Sequence, residues 1–110
     1  MHGNVRDRAL LDLAYADFQC HLTIEGVCEG EYATCEPCHS NQSKHGKGGG
    51  MKAHDCFYVP GCRSCHVAFD QGCKLTLEER RELWDAAYWE FLPKLFNRGL
   101  IGVLKKVKRI

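Results

Sequence analysis

The sequence has no apolar run long enough to cross a bilayer, which excludes a membrane-spanning helix. Its opening residues, Met1-His2-Gly3-Asn4-Val5-Arg6-Asp7, lack the apolar core of a signal peptide, so a cytoplasmic protein with no membrane partner is expected. Net charge is nearly absent: 15 Lys and Arg against 14 Asp and Glu leave +1, and global charge names no partner. No Gly-Lys-Ser/Thr opens a helix, which excludes a phosphate-cradling loop of the nucleotide-binding kind. Acid is also missing locally. None lies between Glu36 and Asp55, where Lys44, Lys47 and Lys52 fall among His39, His45 and His54. None follows Glu90, where Lys94, Arg98, Lys105, Lys106, Lys108 and Arg109 stand. Two basic segments on a near-neutral chain point to a polyanion, with nucleic acid first; the plain alternative is solvated surface.

Cysteine is abundant, at eight in 110 residues. A secreted domain would spend them on disulfides, a reducing compartment on metal. The expected cytoplasmic setting favours metal, and a core this small gains from such a staple. The central stretch is Pro60-Gly61-Cys62-Arg63-Ser64-Cys65-His66-Val67-Ala68-Phe69-Asp70. Two thiolates two residues apart reach one tetrahedral ion. If a helix starts at Cys62, His66 and Asp70 are i and i+4 on one face. Spacing alone pairs Cys62 and Cys65 with Cys35-x2-Cys38 as a zinc ribbon; Cys20 and Cys28 are the other available pair.

The rest of the chain reads as one domain over 1–110, with a core at about 18–75, a helix at about 76–97 and a basic tail at 98–110. Asn4 is expected to cap a first helix carrying Val5, Ala9, Leu10, Leu13 and Ala14 inward. Cys20 to Cys28 alternates like a short strand with a turn at Gly26. Tyr32 to Cys38 is expected to be extended at an edge because of Pro37, with His39 at its end. Ser40 to Lys52 is a Gly-rich basic loop without periodicity, read either as a floppy connection or as an arm along a phosphate backbone. Asp55 to Val59 is a second strand. Gly72 is expected to end the helix begun at Cys62. Thr76-Leu77-Glu78-Glu79 is a capping box for a helix whose Leu83, Trp84, Ala87, Tyr88 and Phe91 face a core. Pro93 is expected to end or kink that helix, with a stop at Asn97-Arg98-Gly99 and a short strand over 100–104. Cys56 and Cys73 read as buried thiols, and His2 and His21 carry no signal.

A strand ending in His39, a strand near Asp55 and a helix carrying His66 follow one another. The pattern Cys20-x7-Cys28 with Gly26-Val27, then ten residues, His39, a Gly-rich loop with Lys52-x2-Asp55, and Cys62-x2-Cys65-His66 with Asp70, resembles the small HNH-like (His-Me finger) nucleases of lambdoid phages and prophages. The resemblance runs from about Phe18 to Asp70. It implies an α+β fold: a small zinc-stabilised ββα-metal core with flanking helices. It implies structural Zn²⁺ on Cys20, Cys28, Cys62 and Cys65, and His39 as general base. His66, with Asp70 as a further donor, would hold a catalytic Mg²⁺, Mn²⁺ or other divalent ion. Asp55 would orient the base or touch the metal, and Lys44, His45, Lys47 and Lys52 would contact DNA. The implied activity is metal-dependent hydrolysis of DNA phosphodiesters with low sequence specificity, in phage DNA recombination or processing, leaving 5′-phosphate and 3′-hydroxyl ends. One departure stands out: Cys38 occupies the position before the base where the family places Asp or His, and a thiolate suits Mg²⁺ poorly. The competing reading is a non-catalytic zinc module that binds nucleic acid or a protein. The residues do not assign an oligomeric state.

Overall fold

The structure is a computed structural model that describes residues 4–16, 18–30, 33–71 and 75–107, with side chains in the last helix described as far as Asn97. Helix α1 (Arg8–Ala16) is followed by strand β1 (Cys35–His39), a short 3-10 turn (Ser43–His45), strand β2 (Tyr58–Cys62), helix α2 (Arg63–Gln71) and helix α3 (Leu77–Val107). It is a small α+β protein. Its sheet is one antiparallel ribbon, in register from Cys35 opposite Cys62 to His39 opposite Tyr58. Pro37 faces Pro60, and neither removes a bond from a third strand because the ribbon has two edges.

Asp7, not Asn4, caps α1: its Oδ1 accepts from the amides of Ala9 and Leu10 at 3.0 and 3.4 Å. Asn4 is diverted to the loop, where its Nδ2 donates to the carbonyls of Gly46 and Lys52 at 2.7 Å each. Val5 is exposed and precedes the helix; Ala14 is the fully buried member of the expected stripe, and Ala9 is exposed. The segment over 20–28 is not a strand. It is a looped turn in which Val27 and Cys28 both donate backbone N–H to Ile24 O, while Leu22 and Ile24 are buried. The second strand begins at Tyr58, three residues later than expected, because Asp55 to Phe57 form a turn closed by Phe57 N–H to His54 O.

The capping box at the start of α3 is formed: Glu79 N–H donates to Thr76 Oγ1 at 3.1 Å, and Thr76 N–H to Glu79 Oε1 at 2.9 Å. Pro93 does not end α3, which runs on to Val107 with no strand over 100–104. Pro93 and Trp89 lie on the exposed side, where water can take up the carbonyl bond that proline forfeits. Trp84, Phe91 and Leu95 carry the opposite side against the ribbon, and Trp84 and Phe91 are fully buried. Each large apolar side chain removed from water contributes about 1.5–3 kcal/mol. Polar tips are satisfied too: Trp84 Nε1 donates to Cys38 O at 3.1 Å, Tyr88 OH to Cys56 O at 2.8 Å, and Tyr58 OH to Leu10 O at 2.5 Å. Arg80 Nη1 donates to Phe69 O at 2.8 Å, placing a cation at the electronegative end of α2. Tyr32, Gly72, Cys73, Lys108 and Arg109 lie outside the described residues, as do the side chains of Arg98, Lys105 and Lys106. Among the described residues no helix is long and apolar enough to cross a membrane.

Candidate metal centre and imidazole site

The Cys35/Cys62 end of the ribbon gathers sulfur. Cys20 and Cys28 come from the looped turn, Cys62 from the end of β2 and Cys65 from the first turn of α2, and their Sγ atoms all lie within 4.8 Å of one another. A tetrahedral zinc with Zn–S near 2.3 Å spans sulfurs about 3.8 Å apart, so four thiolates here fit such an ion with small inward movements. The backbone prepares the sulfurs for charge. Thr23 N–H donates to Cys20 Sγ, Ile24 N–H to Cys65 Sγ and Glu29 N–H to Cys62 Sγ, each at 3.4 Å. Cys65 N–H also reaches Cys62 Sγ at 3.5 Å. Thr23 holds a left-handed φ of 42°, which a β-branched residue avoids unless its surroundings demand it. Glu29 adds a brace: its carboxylate accepts from Ser64 N–H at 3.0 Å, at the electropositive start of α2. These four cysteines could hold a metal such as zinc.

The ribbon pairing expected from spacing alone is not formed. Cys35 Sγ points to Ala33 O at 3.8 Å, and burial pushes its thiol up to about 11. Cys38 Sγ donates to Glu36 O at 3.6 Å, and burial raises it further still. Both stay protonated inside the core. Gly61 faces Cys38 so closely that an added Cβ would stand 2.6 Å from its sulfur.

At the opposite end of the ribbon stands His39. Successive residues of a strand point to opposite faces, so Cys38 enters the core and His39 does not share its environment. His39 Nε2 lies 2.9 Å from Asp55 Oδ1. Asp55 is buried, and its other oxygen accepts the Asp7 amide at 2.7 Å, with Arg6 Nη1 3.3 Å from Oδ1. Burial alone would raise the Asp55 carboxyl, but His39, the Asp7 amide and Arg6 together hold it below the usual carboxylate range. Burial lowers the His39 imidazole, and the Asp55 contact offsets only part of that. At neutral pH the pair is therefore a carboxylate and a neutral imidazole. An acceptor carboxylate at Nε2 requires the ring proton there, which leaves the lone pair on Nδ1.

His66 is placed differently. Its Nε2 lies 3.1 Å from Asp70 Oδ2 along α2, and its Nδ1 lies 2.6 Å from Glu36 Oε1 across the ribbon. Asp70 raises the imidazole most; burial opposes this, and Glu36 raises it further. His66 is thus held between two acids, with a carboxylate oxygen at each ring nitrogen. Arg63 also approaches Glu36, at 3.6 Å. Among the described residues the four cysteines are the one group with metal-ligand geometry. Glu36 was not anticipated as a site residue. The available signal was its position two residues before Cys38 on one strand, opposite Gly61 in a hairpin that leads straight into α2.

The basic loop is tied down. Arg6 donates to Ala53 O at 2.7 Å and Lys52 O at 2.8 Å, Asp55 N–H donates to Val5 O at 3.0 Å, and Val5 N–H donates to His54 Nδ1 at 2.9 Å. Lys44, Lys47 and Lys52 are exposed along it. His45 does not stand free with them: its ring stacks on Phe57 at 4.3 Å, and its Nδ1 meets Ser40 Oγ at 2.5 Å. Cys56 is half-buried, and burial raises its thiol. Compared with family models, curated proteins and solved structures, the chain matches none.

Proposed function

We propose that this chain is a metal-dependent endonuclease of the HNH (His-Me finger) type, hydrolysing DNA phosphodiester bonds with little sequence specificity, with a structural zinc on Cys20, Cys28, Cys62 and Cys65. The observation that carries the reading is the His39–Asp55 pair. A neutral imidazole is oriented by a buried carboxylate at the end of the first strand of a β–β–α succession. Asp55 holds the proton on Nε2, and Nδ1 of His39 takes a proton from water. The water oxygen attacks phosphorus in line, the bond to the 3′ oxygen breaks, that oxygen takes a proton from solvent, and 5′-phosphate and 3′-hydroxyl ends result. A divalent ion beside His66, with Asp70 or Glu36 as oxygen donor, would stabilise charge on the phosphorane-like transition state. Binding there requires one of the two carboxylates now on the ring to swing away. Lys44, Lys47 and Lys52 hold the backbone without reading bases.

A second reading, a zinc module that binds nucleic acid or a protein without turnover, draws on the closure of His66 between Glu36 and Asp70. Supercoiled plasmid incubated with the purified chain and Mg²⁺ or Mn²⁺ separates them. Metal-dependent nicking that disappears in His39→Ala supports the nuclease. Salt-sensitive binding with no nicking supports the module.

A further inference from the structure

Outside these sites, α3 and the basic loop enclose an open groove of ≈ 250 Å³. Its walls are Lys44 and His45 from the loop and Trp84, Asp85, Tyr88 and Trp89 from α3. The inner aromatics are packed on one another, Trp84 on Tyr88 at 4.8 Å and 12° and His45 at 5.2 Å from buried Trp84, and form a firm floor that leaves Trp89 as the open ring. Trp89 is 76% exposed, an unusual cost for the largest apolar side chain on a small protein. Lys44 is exposed at the rim. Asp85 accepts from Gln42 Nε2 at 2.6 Å, and its carboxylate lines the groove as a hydrogen-bond acceptor.

The groove adjoins the end of β1. Trp84 Nε1 donates to Cys38 O, and His45 Nδ1 meets Ser40 Oγ, so two of its walls are bonded to the residues on either side of His39.

We propose that this groove stacks one unpaired base of a single-stranded DNA segment against Trp89, with Lys44 on the adjoining phosphate and Asp85 accepting from the base. The proposal deepens the nuclease reading and rests on it for the substrate class. The volume falls below the roughly 300–1,000 Å³ that buries a drug-sized ligand, and it suits a single planar ring system. Stacking against an aromatic face is tolerant of base identity, whereas a paired base is hidden between its neighbours. The DNA favoured at His39 is then single-stranded, or branched with unpaired bases.

The test is binding of the metal-loaded full chain to a fluorescent oligo(dT) of about 12 nucleotides and to a duplex of equal length, read by anisotropy without added Mg²⁺ or Mn²⁺. Trp89→Ala should weaken single-strand binding by about fivefold or more and leave duplex binding within about twofold. Phe96→Ala, an exposed aromatic further along α3 and outside the groove, should change neither. Unchanged single-strand affinity in Trp89→Ala, or equal losses on both DNAs, overturns the proposal. An equal loss in Phe96→Ala also overturns it, in favour of an apolar face covered by a protein partner or a second copy. Cleavage of supercoiled plasmid by the same protein preparations, measured after Mg²⁺ or Mn²⁺ is added, keeps the two readings apart. Trp89-dependent single-strand binding without nicking removes the nuclease and leaves the groove. His39-dependent nicking with Trp89→Ala behaving as wild type removes the groove alone.

Discussion

The two ends of the β-ribbon are built by opposite means. At the Cys35/Cys62 end, four sulfurs converge from segments that each carry their own short-range order: a tight turn for Cys20 and Cys28, and a strand-to-helix joint for Cys62 and Cys65. At the His39/Tyr58 end, one buried carboxylate is held by the strand, by Arg6 and by the backbone of Asp7, groups 16, 49 and 48 residues away in sequence. The sulfur end can be secured by one ion. The imidazole end depends on the N-terminal strap being folded back over the loop. One end could thus be stapled by a single metal ion, whereas the other is held by hydrogen bonds to one buried carboxylate.

The comparison breaks most severely if the metal is removed. Structural zinc in small domains contributes about 10–16 kcal/mol of apparent binding energy at neutral pH, so a strong chelator should abolish the cooperative unfolding transition, followed by circular dichroism. His39 should also lose protection when the ribbon melts. If the chelated protein keeps its thermal transition, the sulfur end is not the staple.

His39→Ala should cost about 10²- to 10⁴-fold in cleavage while leaving zinc content and fold intact. The pH profile sharpens this. The His39 imidazole lies below its ordinary value of about 6.5, so the ring is neutral at neutral pH, as the proposed role of general base requires. Cleavage should be flat above pH 7 and fall only as pH drops through that lowered value; a rate still climbing above pH 7 would contradict the assignment.

Asp55→Ala removes a buried acceptor of three donors, and hydrogen bonds to a charged group carry about 1.5–3 kcal/mol each before relaxation. A loss of about 3 kcal/mol is expected in urea unfolding, with Asp55→Asn milder. The sign in pH follows from the lowered carboxyl. Its contribution is fully present above about pH 4, the unfolded value, and is lost as pH falls through the folded value beneath it. Equal stability of Asp55→Ala and wild type at neutral pH would show that the strap does not depend on this carboxylate.

Gly61→Ala tests the tightness between the ends. A Cβ would meet Cys38 Sγ at 2.6 Å and Leu22 at 3.0 Å, and overpacking of this kind costs about 1–3 kcal/mol. The smallest effect belongs to Thr76→Ala, which removes half of a capping box that contacts neither site residue set and should cost about 1 kcal/mol with no change in zinc or cleavage.

The sulfur end is largely legible in the sequence, because Cys-x2-Cys spacing encodes ligand bite directly. Choosing its partners is not: Cys35-x2-Cys38 has the better spacing, but on a strand residues three apart point to opposite faces, so these two buried thiols do not converge on one ion. Thr76 and Glu79 were readable because a capping box is local. Asn4 and Pro93 misled for one shared reason. Each is a strong local signal overruled by its surroundings, Asn4 by the carbonyls of Gly46 and Lys52 and Pro93 by a solvent-facing position on a long packed helix. His39 and Asp55 could be picked out separately. Their third and fourth partners, Arg6 and Asp7, and the clamp of Glu36 on His66, are contacts made across 30 to 49 residues, which no local pattern announces.

The central claim is that the metal belongs to Cys20, Cys28, Cys62 and Cys65. The most direct measurement is the zinc content of purified Cys20→Ser and Cys35→Ser. Cys20→Ser should lose the ion, and Cys35→Ser should keep the wild-type stoichiometry. Zinc lost from Cys35→Ser and retained by Cys20→Ser would contradict the account.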